Sequence, residues 1–226
     1  MSTYGSIPNV SWGEQVPGAD ALFYSRRDAA LLLDKAIKPG YGVLQAGWLM
    51  GVAADGQLVP YVMTGFAATG LEANAVVFGL ADVANGANTI DVPLAASYRF
   101  KVGDVLALGE TDGPTYHNGG AITDIDRTSS PVKATITFTT ATTTAAFTTA
   151  NSVHCYIATG SSGKLSEAVY VLDKAVDTGE GETAAGGLTS VVVSNAVLNA
   201  PVVIGMDSAA QTTMGLVVDG DYVILK

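Results

Sequence analysis

Apolar residues along this chain come in short runs broken by glycine-bearing turns, rather than at the three- and four-residue spacing of an amphipathic helix. Residues 33–61 show the pattern best. Pro39-Gly40 and Tyr41-Gly42 break the chain, Val43-Leu44 extends it, Gly47 turns it, and residues 48–52 extend it again. Asp55-Gly56 predicts a two-residue type I′ hairpin turn with both central residues at positive φ, and residues 58–62 supply the return strand. Strands this short bury too little alone, so the segment predicts a small barrel or sandwich closed by strands further along the chain.

The pattern recurs on both sides of that stretch. Residues 19–33 suit either a short helix or two strands, Leu22-Phe23-Tyr24 and Leu31-Leu32-Leu33. Residues 75–80 read as a strand, Asn85-Gly86 as a second hairpin signal, and residues 89–92 alternate with period two. Residues 98–108 predict strand, turn and strand, with Gly103 at the corner and Asp104 capping the turn. Between about 110 and 165 the character changes. Asp112-Gly113-Pro114 and Asn118-Gly119-Gly120 supply turns, residues 121–126 alternate, and residues 134–139 set threonines on the outer face of a half-buried strand. Phe147 and residues 153–157 anchor the low-complexity stretch between them.

The last third opens with a flexible joint, Gly160-Ser161-Ser162-Gly163. It then echoes an earlier phrase: Leu172-Asp173-Lys174-Ala175-Val176 nearly repeats Leu33-Asp34-Lys35-Ala36-Ile37, which raises an internal pseudo-repeat. Residues 188–193 and 197–204 predict buried strands, and residues 215–225 a terminal hairpin around Asp219-Gly220. The expected fold class is mainly β: a small β-barrel or sandwich of short strands, with an inserted β subdomain and an extended N-terminal arm. The expected divisions are an arm over 1–30, a first part of the barrel over 31–110, a Thr-rich subdomain over 111–165, and a segment over 166–226 that completes or repeats the barrel.

Residues 1–20 lack periodicity and carry Ile7-Pro8 and Val16-Pro17-Gly18, which favour extended backbone. They read either as a frayed terminus or as an arm that orders on a partner. Tyr4, Ile7, Val10 and Trp12 are apolar anchors that a disposable tail has little use for. Arg26-Arg27 is the one basic pair; it solvates a face, pairs with Asp20 and Asp28, or docks to an acidic surface.

Composition sharpens this picture. Hydrophobic residues make up 48% of the 226 and charged residues only 14%, with a mean hydropathy of +0.33. A surface of Ala, Thr, Ser and Gly suits a protein covered by copies of itself or by a partner. Eleven basic against 21 acidic residues give a net charge of −10, which disfavours nucleic acid. The charge-free window 183–206 is interrupted by Ser190, Ser194, Asn195, Asn199 and Pro201, so it predicts buried strands rather than a membrane span. The N-terminus shows neither a basic nor an apolar signal region, and the single Cys155 leaves no internal disulfide, as expected of a chain folded inside a cell.

Little of the sequence promises chemistry. His154 and Cys155 are neighbours in a strand, so they point to opposite faces and do not form a nucleophilic pair; His117 lies in a turn-rich stretch. Asp124-Ile125-Asp126 starts like a calcium loop, but Ser129 and Thr135 stand where glycine and the bidentate glutamate belong. Asp177, Glu180 and Glu182 read as a solvated loop, Gly160–Gly163 is no nucleophile elbow, and Gly163-Lys164 lacks the following Ser or Thr of a phosphate-cradling loop. The expectation is no catalytic residue, no metal, no cofactor and no enzyme; a hydrolase would need a cleft carboxylate pair that sequence does not show.

Residues 38–40 through 58–61, the strand at 76–81, and residues 187–193 onward to the C-terminus together resemble the lambda-type head decoration, or cement, proteins of tailed bacteriophages. The block at 110–165 departs from the small members of that family. The resemblance implies a β-rich homotrimer, made in the host cytoplasm, sitting on the virion's capsid surface against the major capsid protein. Its arm, with Tyr4, Ile7, Val10, Trp12, Arg26 and Arg27, would add a strand to the shell beneath. The alternative from another class is a β-sandwich surface module that binds a glycan or receptor through exposed aromatics, with Tyr116 and Phe147 as candidates.

Overall fold

The computed structural model describes residues 22–25, 30–63, 74–111, 116–142, 146–160 and 165–226. The chain is mainly β. In chain order its strands are β1 (Phe23–Ser25), β2 (Leu31–Ile37), β3 (Val43–Leu44), β4 (Leu49–Val52), β5 (Leu58–Pro60), β6 (Val77–Phe78), β7 (Thr89–Pro93), β8 (Val105–Glu110) and β9 (Tyr116–Asp126). They continue as β10 (Lys133–Phe138), β11 (Val153–Ile157), β12 (Tyr170–Leu172), β13 (Val176–Asp177), β14 (Gly187–Ser194), β15 (Ala196–Asn199), β16 (Val217–Asp219) and β17 (Tyr222–Leu225). Among the described residues two short α-helices, α1 (Leu94–Ser97) and α2 (Ser208–Met214), interrupt them.

A closed barrel runs β12-β14-β2-β5-β4. Beside it lie a six-stranded sheet, β6-β11-β8-β9-β10-β7, a four-stranded sheet, β1-β15-β17-β16, and the pair β13-β3. The barrel thus joins strands from 31–60 to strands from 170–194, while everything between 77 and 157 pairs within one sheet. β6, β7 and β8, which the sequence division placed in the barrel, share that sheet with the Thr-rich block. In the last segment β12 and β14 complete the barrel, whereas β15, β16 and β17 form a separate sheet with β1.

The barrel strands are apolar on both faces because each face meets a different core. Trp48, Met50, Leu172 and Val191 pack with Phe100, Leu106, Ile136, Phe138 and Phe147 on the six-stranded side. Their neighbours in sequence, Leu49, Val171 and Val192, pack with Leu22, Leu198, Val223 and Leu225 on the four-stranded side. Strict alternation of Cβ atoms sends adjacent residues to opposite cores, so a continuous apolar run is what such a strand requires. In the six-stranded sheet β8 and β11 are buried on both faces, whereas toward the β10–β7 edge only one face is covered. There β10 alternates as expected, with Ala134, Ile136 and Phe138 inside and Thr135 and Thr137 only partly covered.

Several local expectations change. Asp55-Gly56 does join paired strands β4 and β5, but only Gly56 has positive φ, and Gly56 N–H donates to Ala53 O. The loop is therefore a longer turn closed by one left-handed glycine, not a type I′ pair. Asn85-Gly86 makes a turn, yet β6 and β7 on either side are not partners. Residues 98–100 follow α1 as a helical exit rather than a strand, although Asp104 caps the next turn as expected, its Oδ2 accepting from Lys101 N–H at 2.9 Å. Residues 19–33 give two strands where described. The similar phrases at 33–37 and 172–176 are not equivalent: Asp34 is exposed in mid-strand, while Asp173 is buried in the turn between β12 and β13. The stretches that follow them do meet, through Gly42 N–H donating to Gly179 O and Thr178 N–H donating to Gly42 O.

Candidate functional site

The expected arm residues Tyr4, Ile7, Val10 and Trp12, and the pair Arg26 and Arg27, lie outside the described residues. The elements next to them in sequence, β1 and β2, are described, and β2 carries the most open part of the barrel. It pairs with β14 along its whole length but with β5 only at Ile37, opposite Leu58. Among the described residues, the other edge of residues 31–36 is therefore unpaired, and its backbone donors and acceptors are free to take another strand.

The side chains on this β2–β14 ribbon are also open. Leu31 is 47% and Leu33 42% exposed on one face, while Leu188, opposite Ala36, is 73% exposed on the other. Fully burying one leucine side chain contributes roughly 1.5–3 kcal/mol, so covering three half-exposed ones is worth several kcal/mol to whatever covers them. Asp34 is exposed between the leucines, and the Lys35 ammonium lies 5.5 Å from the Tyr170 ring centre.

A second concave feature lies where the barrel, the six-stranded sheet and α2 meet. This cleft of about 610 Å³ has Tyr116 and Tyr156 in its wall, with hydroxyls from Ser166, Ser208, Thr212 and Thr213, and among the described residues none that lines it is charged. Ser166 Oγ accepts from Val62 N–H at 3.1 Å. Burial pushes the Tyr156 phenol well above its ordinary range, so it stays neutral. Asp207 positions α2: its Oδ1 caps Ala210 N–H at 2.7 Å and accepts from the Tyr61 hydroxyl at 3.0 Å. Of the two aromatics expected in a surface site, Tyr116 reaches this cleft but Phe147 does not. It is fully buried, because the Thr-rich stretch folds back to bridge Val83 and drives its ring into the core.

The titratable groups the sequence singled out are dispersed. His117 sits in β9 rather than a loop, buried, with Nε2 2.9 Å from Thr140 O. His154 and Cys155 lie side by side in β11, His154 opposite Gly109 and Cys155 opposite Leu108. Burial pushes the Cys155 thiol up to about 12, so the thiolate needed of a nucleophile is not available near neutral pH. Asp126 is a turn cap, accepting from the hydroxyl and N–H of both Ser129 and Thr128, and these bonds hold its carboxyl below the usual range. Asp177 Oδ1 accepts from Gly179 N–H. Among the described residues, no group of His, Cys, Asp and Glu is gathered in a way that could hold a metal ion.

One charged cluster escaped sequence reading altogether. Lys38, at the end of β2, is completely buried, with Nζ 2.7 Å from Asp55 Oδ2 and 2.7 Å from Asp104 Oδ1. Asp104 is 4% exposed and Asp55 38%. Arg99 ties the same corner from outside. Its Nε donates to Gly40 O at 2.6 Å, its Nη1 donates to the carbonyls of Asn74 and Val76, and its guanidinium stacks 4.9 Å from the centre of Tyr41. A lysine before Pro-Gly in an otherwise apolar stretch was the only available hint.

The chain matches no family model, no curated protein and no solved structure. No helix among the described residues is long and apolar enough to cross a membrane.

Proposed function

We propose that this chain is a structural virion protein, a cement that binds the outer surface of a phage capsid as a trimer and stabilises it. The observation that carries the reading is the β2–β14 ribbon: an unpaired strand edge with three exposed leucines, directly following an arm rich in apolar anchors. Such a surface suits β-augmentation, in which main-chain hydrogen bonds hold an added strand and side-chain anchors choose it. Three arms on one trimer act at high effective concentration, so weak individual contacts sum to firm decoration. The acidic, charge-poor composition fits a protein partner, the major capsid protein, better than nucleic acid. The test is co-sedimentation with undecorated phage heads of the full chain, a form lacking residues 1–20, and the pair Leu33→Asp and Leu188→Asp. The full chain is expected to bind saturably, the truncated form to remain folded and fail, and the ribbon variants to bind at least tenfold more weakly. Undiminished binding without the arm would refute the arm's role, and no binding by any form would refute the cement reading.

The cleft favours a second reading. A half-buried tyrosine, Tyr116, amid hydroxyls, with no charged residue in the described lining, suits a neutral sugar, for which aromatic stacking and hydroxyl hydrogen bonds are the usual contacts. On this reading the chain binds a glycan through Tyr116, binding survives loss of the arm, and Tyr116→Ala abolishes it. A glycan array probed with both forms separates the two functions.

A further inference from the structure

The Lys38, Asp55 and Asp104 cluster has the composition and geometry of a self-condensing site, a property separate from either binding function. We propose that Lys38 Nζ and Asp104 Cγ join in an intramolecular isopeptide bond, with Asp55 as the proton shuttle.

In water an ammonium and a carboxylate do not condense, because hydration of both ions favours the separated charges. Here that hydration is removed: Lys38 is completely buried and Asp104 nearly so. The fold also removes the cost of bringing the partners together, holding Nζ 2.7 Å from Asp104 Oδ1 across a separation of 66 residues. Two further contacts have the placement the reaction needs. Asp55 Oδ2 sits on the same ammonium at 2.7 Å, able to take a proton from Nζ, and its own Oδ1 is fixed by Gln57 N–H at 3.1 Å. Lys101 N–H donates to Asp104 Oδ2 at 2.9 Å and stabilises negative charge on that oxygen when Cγ becomes tetrahedral.

The step balances without any co-reactant. Nζ passes one proton to Asp104 Oδ1 and, now a neutral amine, attacks Cγ of the resulting carboxylic acid while Asp55 takes a second proton from Nζ. The C–N bond forms, Asp55 returns the proton to Oδ1, and the Cγ–Oδ1 bond breaks to release one water. Oδ2 remains as the amide oxygen, still held by Lys101 N–H. Asp55, the most exposed of the three, opens the cluster to solvent and gives the water a way out. The product staples the end of β2, in the barrel, to the turn before β8, in the six-stranded sheet.

Peptide mapping of the full-length protein by mass spectrometry tests this. Lys38 precedes Pro39, so trypsin spares it and yields peptides 36–99 and 102–127. The expected result is one linked peptide, lighter than the sum of the two by one water, with fragmentation placing the bond between Lys38 and Asp104. Asp55→Asn is expected to leave the two peptides separate. Asp104→Asn is expected to give the same linked product by loss of ammonia instead of water. Separate peptides from the wild-type chain, or a bond from Lys38 to Asp55, would overturn the proposal and leave an ion cluster. Full linkage in Asp55→Asn would overturn the role given to Asp55.

Discussion

Gly47 offers the sharpest test of how the barrel is held against the four-stranded sheet. It has φ +91°, and a Cβ built on it would overlap the carbonyl oxygen of Val202 and lie 3.1 Å from that carbonyl carbon. The same turn carries three backbone bonds, one within the barrel, Gly47 N–H to Leu172 O, and two to the segment after β15, Ile204 N–H to Gly47 O and Leu49 N–H to Ile204 O. Gly47→Ala therefore faces two costs. Left-handed backbone with a Cβ costs about 1–2 kcal/mol. Moving residues 202–204 away weakens two interlayer hydrogen bonds at about 1 kcal/mol each. The sum is about 3–4 kcal/mol, or a fall in Tm of about 10 °C for a chain of this length. Gly56 provides the internal control, because its φ is +82° but nothing lies within 4 Å of its added Cβ. Gly56→Ala should show the first cost alone, and the gain from restricting the unfolded chain is common to both variants. Urea unfolding of the two, side by side, isolates the overlap as a difference of about 2 kcal/mol. Equal destabilisation would refute the claim that the Val202 carbonyl, rather than φ, makes this position glycine.

Other expectations follow from the same structure. Phe147→Ala removes a fully buried ring and should cost about 3–5 kcal/mol in urea unfolding; a change under about 1 kcal/mol would refute its role as the core anchor of the Thr-rich stretch. Lys38→Met should destabilise by about 3 kcal/mol, because it leaves the Asp104 carboxylate buried without its cation, and a neutral result would refute the energetic importance of that pair. Stability should fall on acidification. Burial lowers the His154 pKa below its ordinary 6.5, and hydrogen bonds from Lys133 and from Thr149 hold Asp91 and Asp82 below 3.8. In each case the folded state binds fewer protons than the unfolded one, so stability is fully present above the unfolded pKa and is lost as pH drops through the folded one. Tm should decline first just below pH 6.5 and again below pH 4; His154→Gln should remove only the first decline, and a Tm that rises on acidification would contradict the assignment.

The pattern of the chain was enough to determine that this protein is built of short strands with buried, β-branched runs. Period-two alternation in β7 and β10, the left-handed glycines at 56, 103 and 220, the Asp104 cap and the terminal hairpin were all legible, because each depends on neighbours within a few residues. α2 went unread, although Asp207 caps its start and Gly215 ends it, because its seven residues lie among alanines and threonines between two strands. What tertiary structure alone decided is which strands meet. Backbone donors and acceptors are the same on every strand edge, so nothing local says that β2 closes with β14 and β5 while residues 77–157 keep to a sheet of their own. For the same reason the echoing phrases at 33–37 and 172–176 diverge into strand and turn, and only the fold decides that Phe147 is the buried anchor of its stretch rather than the surface aromatic of a glycan site. The Lys38 cluster belongs wholly to the tertiary level: its three members are turned toward one another only when the barrel and the six-stranded sheet pack, and no spacing in the sequence encodes that approach.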